Sequence, residues 1–169
     1  TGQRVRGDRG NAGGHLSDAM IAAPEIGLAS VVDAQAIALL ARDEIEQGLG
    51  WSWTPARVQR CIRDAHSNAI VARDGGRVIG FALMRYDADH AHLLLFGVAP
   101  AWRRQRVASA LWAWLEATLR TAGIRSVQVE LRASNHAARA FYERVGFEQV
   151  NATQRYYRGV ETALHMVKD

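Results

Sequence analysis

The sequence holds one cysteine, Cys61, in 169 residues, which excludes an internal disulfide. Cys61 shares one helical face with Val58 and Ile62, the place of a small buried core residue rather than of a nucleophile. No apolar stretch approaches the roughly 18 residues that a membrane-crossing helix requires; the longest clean one runs from Leu93 to Val98. An apolar signal-peptide block is missing near the N-terminus, so the chain reads as soluble and cytoplasmic, with no membrane partner. Helix-turn-helix, zinc-finger and RNA-binding aromatic signatures are also missing, and no direct nucleic-acid binding is expected. No internal repeat occurs. Nothing in the sequence decides between a monomer and a homodimer.

What is present fits a single domain, long enough to bury roughly 70% of the surface its unfolded chain exposes. Apolar residues make up 49% and charged residues 22%, too apolar a mixture for general disorder. The segment 1–24 carries Arg4, Arg6 and Arg9 against Asp8 and Asp18 and five glycines, and is expected to be a flexible leader before a domain over 25–169. The net charge of +4 is spread along the chain except at one place. From Ala99 to Leu115 there are Arg103, Arg104 and Arg106 and no acid, which fits a compact phosphate seat better than a nucleic-acid surface.

Periodicity orders the rest. Glu25 to Val32 reads as a strand, and Asp33 as the N-cap of a helix through Ile37, Leu40, Ala41 and Ile45, ended by Gly48 and Gly50. Thr54 and Pro55 start a second helix to about Ala65. Asn68–Arg73, the turn Asp74-Gly75-Gly76 and Arg77–Asp87 form a hairpin, and Ala91–Val98 adds a third strand. A long helix from about Arg104 to Thr121 presents Val107, Leu111, Trp114, Leu115, Thr118 and Leu119 on one face and closes at Gly123. In Ser126–Leu131, Val127, Val129 and Leu131 face one way and Glu130 the other. Asn135 caps a helix that Gly146 stops, and strands near Phe147–Val150 and Thr162–Val167 complete the chain. The crossover helix makes the strands at 91–98 and 126–131 parallel. The helix start after Val98 presents unpaired N–H groups beside arginines, a seat for a pyrophosphate.

Two motifs carry a resemblance. One is Val98-Ala99-Pro100-Ala101-Trp102-Arg103-Arg104-Gln105-Arg106-Val107-Ala108; the other is Asn135-His136-Ala137-Ala138-Arg139-Ala140-Phe141-Tyr142-Glu143-Arg144-Val145-Gly146-Phe147. In this order and separation they resemble the GCN5-related N-acetyltransferase superfamily. With Glu130-Leu131-Arg132-Ala133-Ser134-Asn135, the Tyr156-Tyr157 pair, and Ala163 followed by Met166, the match is closest to the ribosomal-protein alanine N-acetyltransferase subgroup. The resemblance is specific over 93–166, loose over 26–92 and absent before that. It departs at Arg106, which stands where the family has the first glycine of its Gly-x-Gly/Ala; the second small position is kept as Ala108. The expectation is a loop that stays helical at Arg106, its guanidinium outward or on a phosphate; the alternative is a weakened cofactor site.

The resemblance implies an α/β fold with a mixed sheet of about six to seven strands, helices on both faces and a splayed parallel pair that holds acetyl-CoA, with no metal. Backbone groups of Phe96, Gly97 and Val98 would pair with the pantetheine arm. Arg103, Arg104, Gln105, Arg106, Val107 and Ala108 would hold the pyrophosphate, and Asn135 would contact the cofactor or serve as a cap alone. The reaction implied is direct transfer of acetyl to an amine, favouring a protein or peptide N-terminus. At pH 7 roughly a tenth of an α-amine is neutral, against a few parts in ten thousand of a lysine amine. Glu130 matches the subgroup's general base and Tyr142 its general acid. His92, on the strand that would carry the thioester, is the competing base, or a partly exposed residue beginning that strand. Trp51, Trp53, Tyr156 and Tyr157 would border the acceptor channel, ordinary packing being the other reading of one tryptophan. Four acids against Arg42 over Asp33–Gly50 either attract a cationic acceptor or form a solvated face. The rival functions are acetylation of a small-molecule amine such as a polyamine, amino acid or drug, and a non-catalytic acetyl-CoA sensor, which Arg106 keeps open.

Overall fold

The computed structural model describes residues 23–169 apart from Gln105, Arg158 and Val160. The expected leader therefore lies outside the described residues, except for Ala23 and Pro24. Seven strands form one sheet in the order β1-β2-β3-β4-β5-β7-β6. They are β1 (Glu25–Leu28), β2 (Ser67–Asp74), β3 (Arg77–Tyr86), β4 (His90–Val98), β5 (Ser126–Arg132), β6 (Glu148–Tyr157) and β7 (Glu161–Lys168). Among the described residues four α-helices complete the fold: α1 (Ala34–Glu44), α2 (Pro55–Arg63), α3 (Val107–Ala122) and α4 (His136–Arg144).

The sheet is apolar on both faces because each is covered. Leu111, Leu115 and Leu119 of α3 and Phe141 of α4 pack with Ile70, Leu93, Val127 and Val129 on one side. Ile37, Ala38 and Ala41 of α1 and Val58 and Cys61 of α2 pack with Val71, Phe81, Leu83 and Leu95 on the other. Burying a Leu or Ile side chain contributes about 1.5–3 kcal/mol, so these layers dominate the favourable side of folding. Cys61 is thus a core residue.

The parallel pair departs from regularity at one residue. Met84 pairs with Leu93 but Leu83 with Leu95, so Leu94 is an extra residue in β4. Such a bulge switches the parity of a strand and bends it: Leu93 enters the core under α3, Leu95 the core under α1. Pairing of β4 with β5 begins at His90↔Ser126 and ends at Leu93↔Val129, although both strands continue. The two strands part where the bulge bends one of them.

Several expected boundaries move for physical reasons. The first strand stops at Leu28, and a 3-10 turn covers Val31–Asp33. Asp33 does not cap α1 with its side chain; its carboxylate accepts from Ser30 N at 2.8 Å and from Arg73 Nη2 at 2.6 Å. α2 ends at Arg63, with Thr54 Oγ1 accepting from Arg57 N as its cap. The long helix begins at Val107 rather than Arg104, because Arg104 and Arg106 have φ of 62° and 64°. A right-handed helix cannot contain such residues. The expectation of a helical Arg106 is therefore overturned: Arg106 takes the left-handed conformation that a glycine would take. Trp112, not singled out by periodicity, is buried on α3, whereas Trp114 is only partly buried. β6 extends to Tyr157 through two register shifts against β7, well past Val150.

Candidate active site

The gap between β4 and β5 opens into a cavity of about 410 Å³. It is lined from β4 by His92 to Phe96, from β5 by Val129 to Arg132, and from α4 and its cap by Asn135, Ala138 and Tyr142. The far walls are Ile45, Glu46, Leu49, Ser52, Trp53 and Arg57 from the α1–α2 segment, and Tyr156 and Tyr157 from β6. Glu130 and Tyr142 both line this space although Tyr142 sits among the aromatic rings beneath one face of the sheet and Glu130 points from the other. The separation of the strands gives both side chains access to one opening.

Glu130 is surrounded by groups that can donate to it. Its Oε1 lies 3.4 Å from His165 Nδ1, and the Tyr156 hydroxyl is hydrogen-bonded to its carboxylate. That bond and the carboxylate's charge hold the Tyr156 hydroxyl above its ordinary pKa. Tyr142 is buried, with its ring 6.2 Å from Phe96, 5.7 Å from Phe141 and 5.3 Å from Phe147, each edge to face. Burial, and then the charge of Tyr157, push its hydroxyl far above the ordinary phenol range, so it keeps its proton. Burial likewise raises Tyr157, with Glu130 adding to the effect. His92 lines the same cavity, and burial lowers its pKa despite Glu130, which keeps the ring neutral at pH 7.

The helix start after β4 is less uniform than its arginine count implied. Arg103 Nη2 is paired with Glu44 of α1 and so is engaged within the protein. Arg104 and Arg106 are exposed, and their left-handed backbones shape the approach to α3. Val107 has its side chain in the core, leaving only its backbone N–H to offer, and Ala108 is partly buried beside it. Gln105 lies outside the described residues. The first-turn N–H groups of a sixteen-residue helix, with two exposed arginines, fit a pyrophosphate. Phe96, Gly97 and Val98 pair with Ala82, Phe81 and Gly80 of β3 on one edge, and no ladder to β5 occupies their other edge. A Cβ at Gly97 would lie 3.0 Å from the Phe81 ring, so glycine there permits close packing beneath this edge. An extended pantetheine arm fits such an edge. Asn135 Oδ1 accepts from Ala138 N at 3.1 Å as the α4 cap, and the residue also lines the cavity.

On the acceptor side the two tryptophans separate. Trp53 lines the cavity, with the Arg57 guanidinium 3.8 Å over its ring. Trp51 does not; its Nε1 donates to Ala38 O at 3.2 Å and Arg42 lies over its ring, so it staples its loop to α1. The acids of α1 are partnered as well. Asp33 pairs with Arg73, Asp43 with Arg42 and Glu44 with Arg103, while buried Glu46 accepts from Ser52 N, Trp53 N and Ser52 Oγ. An acidic helix drawing in a cationic acceptor is not what this arrangement provides.

Three further residues have roles that the sequence reading did not assign. Glu46 shapes the loop that carries Trp53. Arg132 donates from Nε to Glu161 Oε2 at 2.6 Å and from Nη1 to Gln47 O at 2.6 Å, spanning the cleft's two walls. His165 faces Glu130 directly in the β5–β7 register. Only this cross-strand register, which one sequence does not display, brings His165 to the site. Among the described residues no group of three His, Cys, Asp or Glu side chains is placed to hold a metal ion.

A seven-stranded mixed sheet whose parallel pair splays over a helix N-terminus defines a class of coenzyme-A-dependent acyltransferase. Residues 35–147 match the acetyltransferase (GNAT) family, and the chain belongs to that family as an N-acetyltransferase. N-alpha-acetyltransferase RimI of Mycobacterium tuberculosis is 34% identical over 110 residues, 63% of this chain and 68% of that protein. The ribosomal protein bS18-alanine N-acetyltransferase of Escherichia coli (strain K12) is 35% identical over 82 residues, 48% of this chain and 55% of that protein. A crystal structure of the ribosomal-protein-S18-alanine N-acetyltransferase from Escherichia coli superposes with a TM-score of 0.73 at 25% identity, covering 86% of this chain and 92% of that one. Ard1 from Thermoplasma volcanium gives 0.77 at 28% identity, covering 86% and 97%.

Proposed function

We propose that the protein acetylates the N-terminal amine of a protein or peptide, with acetyl-CoA as the donor and residues 25–169 as the acetyltransferase domain. The observation that carries this reading is that Glu130 and Tyr142, a carboxylate and a phenol that burial keeps neutral, line one cleft between the splayed strands. Acetyl-CoA supplies a thioester open to attack by a neutral amine. Glu130 takes the proton of the incoming ammonium at a carboxylate oxygen. Tyr142 holds its proton at Oη for the departing sulfur; burial keeps the phenol neutral and makes it a weak acid, so the proton moves only as thiolate charge develops beside it. Backbone groups of Phe96, Gly97 and Val98 hold the arm of the donor. Arg104 and the N–H groups of Val107 and Ala108 hold its pyrophosphate, and the left-handed backbone of Arg106 shapes the turn beneath it. Asn135 orients the donor from the α4 cap.

Trp53, Tyr156 and Tyr157 form an aromatic wall suited to the first residues of a peptide. The relatives named for acetylating α-amines, one of them an alanine of a ribosomal protein, support the same acceptor class. A cytoplasmic location goes with this reading. Among the described residues no helix is long and apolar enough to cross a membrane.

The test is thiol release from acetyl-CoA with a panel of N-terminal peptides, N-blocked peptides carrying one lysine, and free polyamines and amino acids. Turnover of unblocked peptides at least tenfold above every other amine is the expected result. A preference for a polyamine or amino acid would replace the acceptor. CoA binding without turnover on any amine would leave a sensor.

A further inference from the structure

We propose that His165 is a positioning residue that acts through Glu130, setting the carboxylate's orientation and the pH at which it accepts a proton. The inference rests on reading Glu130 as the base. His165 stands opposite Glu130 in the β5–β7 ladder, its Nδ1 3.4 Å from Glu130 Oε1. On the ring's other side, His165 Nε2 is 2.8 Å from Thr153 Oγ1 of β6. Three strands thus contribute one linear set, Thr153–His165–Glu130, which ends in the cleft.

The chemistry of the two ends differs. A hydroxyl donates or accepts equally well, so Thr153 partners Nε2 whether that nitrogen carries a proton or not. The ring can change charge without losing its anchor. In the neutral ring with Nδ1–H toward Glu130, Nε2 accepts from Thr153 and Nδ1 lies 3.4 Å from the carboxylate, limiting the orientations open to it. When Nε2 gains a proton from solvent, Thr153 turns to accept it and Glu130 becomes half of an ion pair. An ion-paired carboxylate is a weaker base.

The neighbouring charges leave this pair distinct. On β5 and β7 the flanking Arg132 and Glu161 are bound to each other. On β6, Tyr156 is bonded to the same carboxylate, with its ring 6.0 Å from the imidazole, Tyr157 stays protonated, and Glu148 is at the strand's far end. On β4, burial keeps His92 neutral. On the opposite wall Glu46 is bonded to Ser52 and Trp53, and Arg57 lies over Trp53.

The experiment follows the six histidines by imidazole NMR from pH 5 to 9 in wild type, Glu130→Gln, Thr153→Val and His165→Gln, the last assigning the His165 signal. In Glu130→Gln the His165 midpoint should fall by at least about half a pH unit, since an opposing charge is removed. The second arm measures kcat against pH with saturating acetyl-CoA and an alanine-initiated pentapeptide amide. His165→Gln should lower kcat about tenfold at the optimum, a fraction of the effect of losing a base outright, and flatten the acid limb. Acceptor KM should stay within twofold. Thr153→Val, which keeps shape, should displace that limb without abolishing turnover. An unmoved His165 midpoint in Glu130→Gln overturns the coupling. Profiles of His165→Gln that superpose on wild type after scaling reduce His165 to packing. If Glu130→Gln itself keeps wild-type kcat, the reading of Glu130 as base fails instead.

Discussion

Arg132 Nη1 donates to the carbonyl oxygen of Gln47 at 2.6 Å, tying strand β5 to the segment between α1 and α2. The same guanidinium holds Glu161 at the start of β7, and Glu161 accepts in turn from Ser134. One partly buried side chain therefore fixes the cleft's two walls to each other. Charge-assisted hydrogen bonds of this kind contribute about 1.5–3 kcal/mol each.

Removing this tie should affect the acceptor more than the donor. Arg132→Gln is expected to raise acceptor KM about tenfold and lower Tm by several degrees. CoA affinity in titration calorimetry should stay within twofold, because the helix start that would hold the pyrophosphate is elsewhere. An unchanged acceptor KM would mean that the walls hold their positions without Arg132.

Arg104 and Arg106 allow the phosphate seat to be separated from backbone strain. A left-handed non-glycine residue costs roughly 1–2 kcal/mol, whereas glycine costs about 0.4–1 kcal/mol through the unfolded chain. Arg106→Gly should therefore be between neutral and about 1.5 kcal/mol more stable in chemical denaturation. CoA affinity should be undiminished. A tenfold loss of affinity would show instead that the guanidinium itself holds phosphate. Arg104→Glu should weaken CoA severely, and unchanged affinity there would displace the pyrophosphate from this turn.

Asp33 gives stability a dependence on acid. Its burial alone would raise the carboxyl pKa, but hydrogen bonds from Arg73 and Ser30 outweigh that and hold it below the ordinary value. A group depressed in the folded state stabilises fully above its unfolded pKa, near 4, and that contribution fades as pH falls through the folded value. Asp33→Asn should cost about 1–3 kcal/mol at pH 7 and less at pH 3 in urea denaturation. A penalty that is equal at both pH values would remove Asp33 from the acid limb.

Much of this arrangement was readable in the sequence, and most of what was not shares a cause. The helix ending at Gly123, the Thr54-Pro55 start, the hairpin at Asp74-Gly75-Gly76 and the outward placement of Glu130 depend on residues close in the chain, where capping and alternation act. The family motifs carried the splay of the strands. The bulge at Leu94 leaves no such mark, because Leu93, Leu94 and Leu95 are chemically alike and only their packing distinguishes them. The contacts of Arg132, Glu46 and His165 depend on cross-strand register or on loops meeting over 85, 6 and 12 residues. Arg106 misled for a different reason: its type argued against a left-handed backbone, and the turn into α3 imposed one.

The two candidate bases, Glu130 and His92, line the same cavity from adjacent strands, so location alone does not choose between them. Their surroundings differ: burial lowers the His92 pKa from its ordinary value, whereas Glu130 has Tyr156 and His165 beside its carboxylate to orient it. Glu130→Gln should retain fold and CoA affinity yet lower kcat by about 10²–10⁴, with the largest loss at low pH where neutral amine is scarce. Raising the pH should restore part of it by deprotonating the acceptor in solution. Tyr142→Phe should also depress kcat with little change in CoA binding, but without that rescue, because its deficit lies at the departing sulfur. His92→Gln should be mild. If His92→Gln abolishes turnover while Glu130→Gln stays active across the pH range, the amine's proton leaves along β4 and Glu130 is not the base.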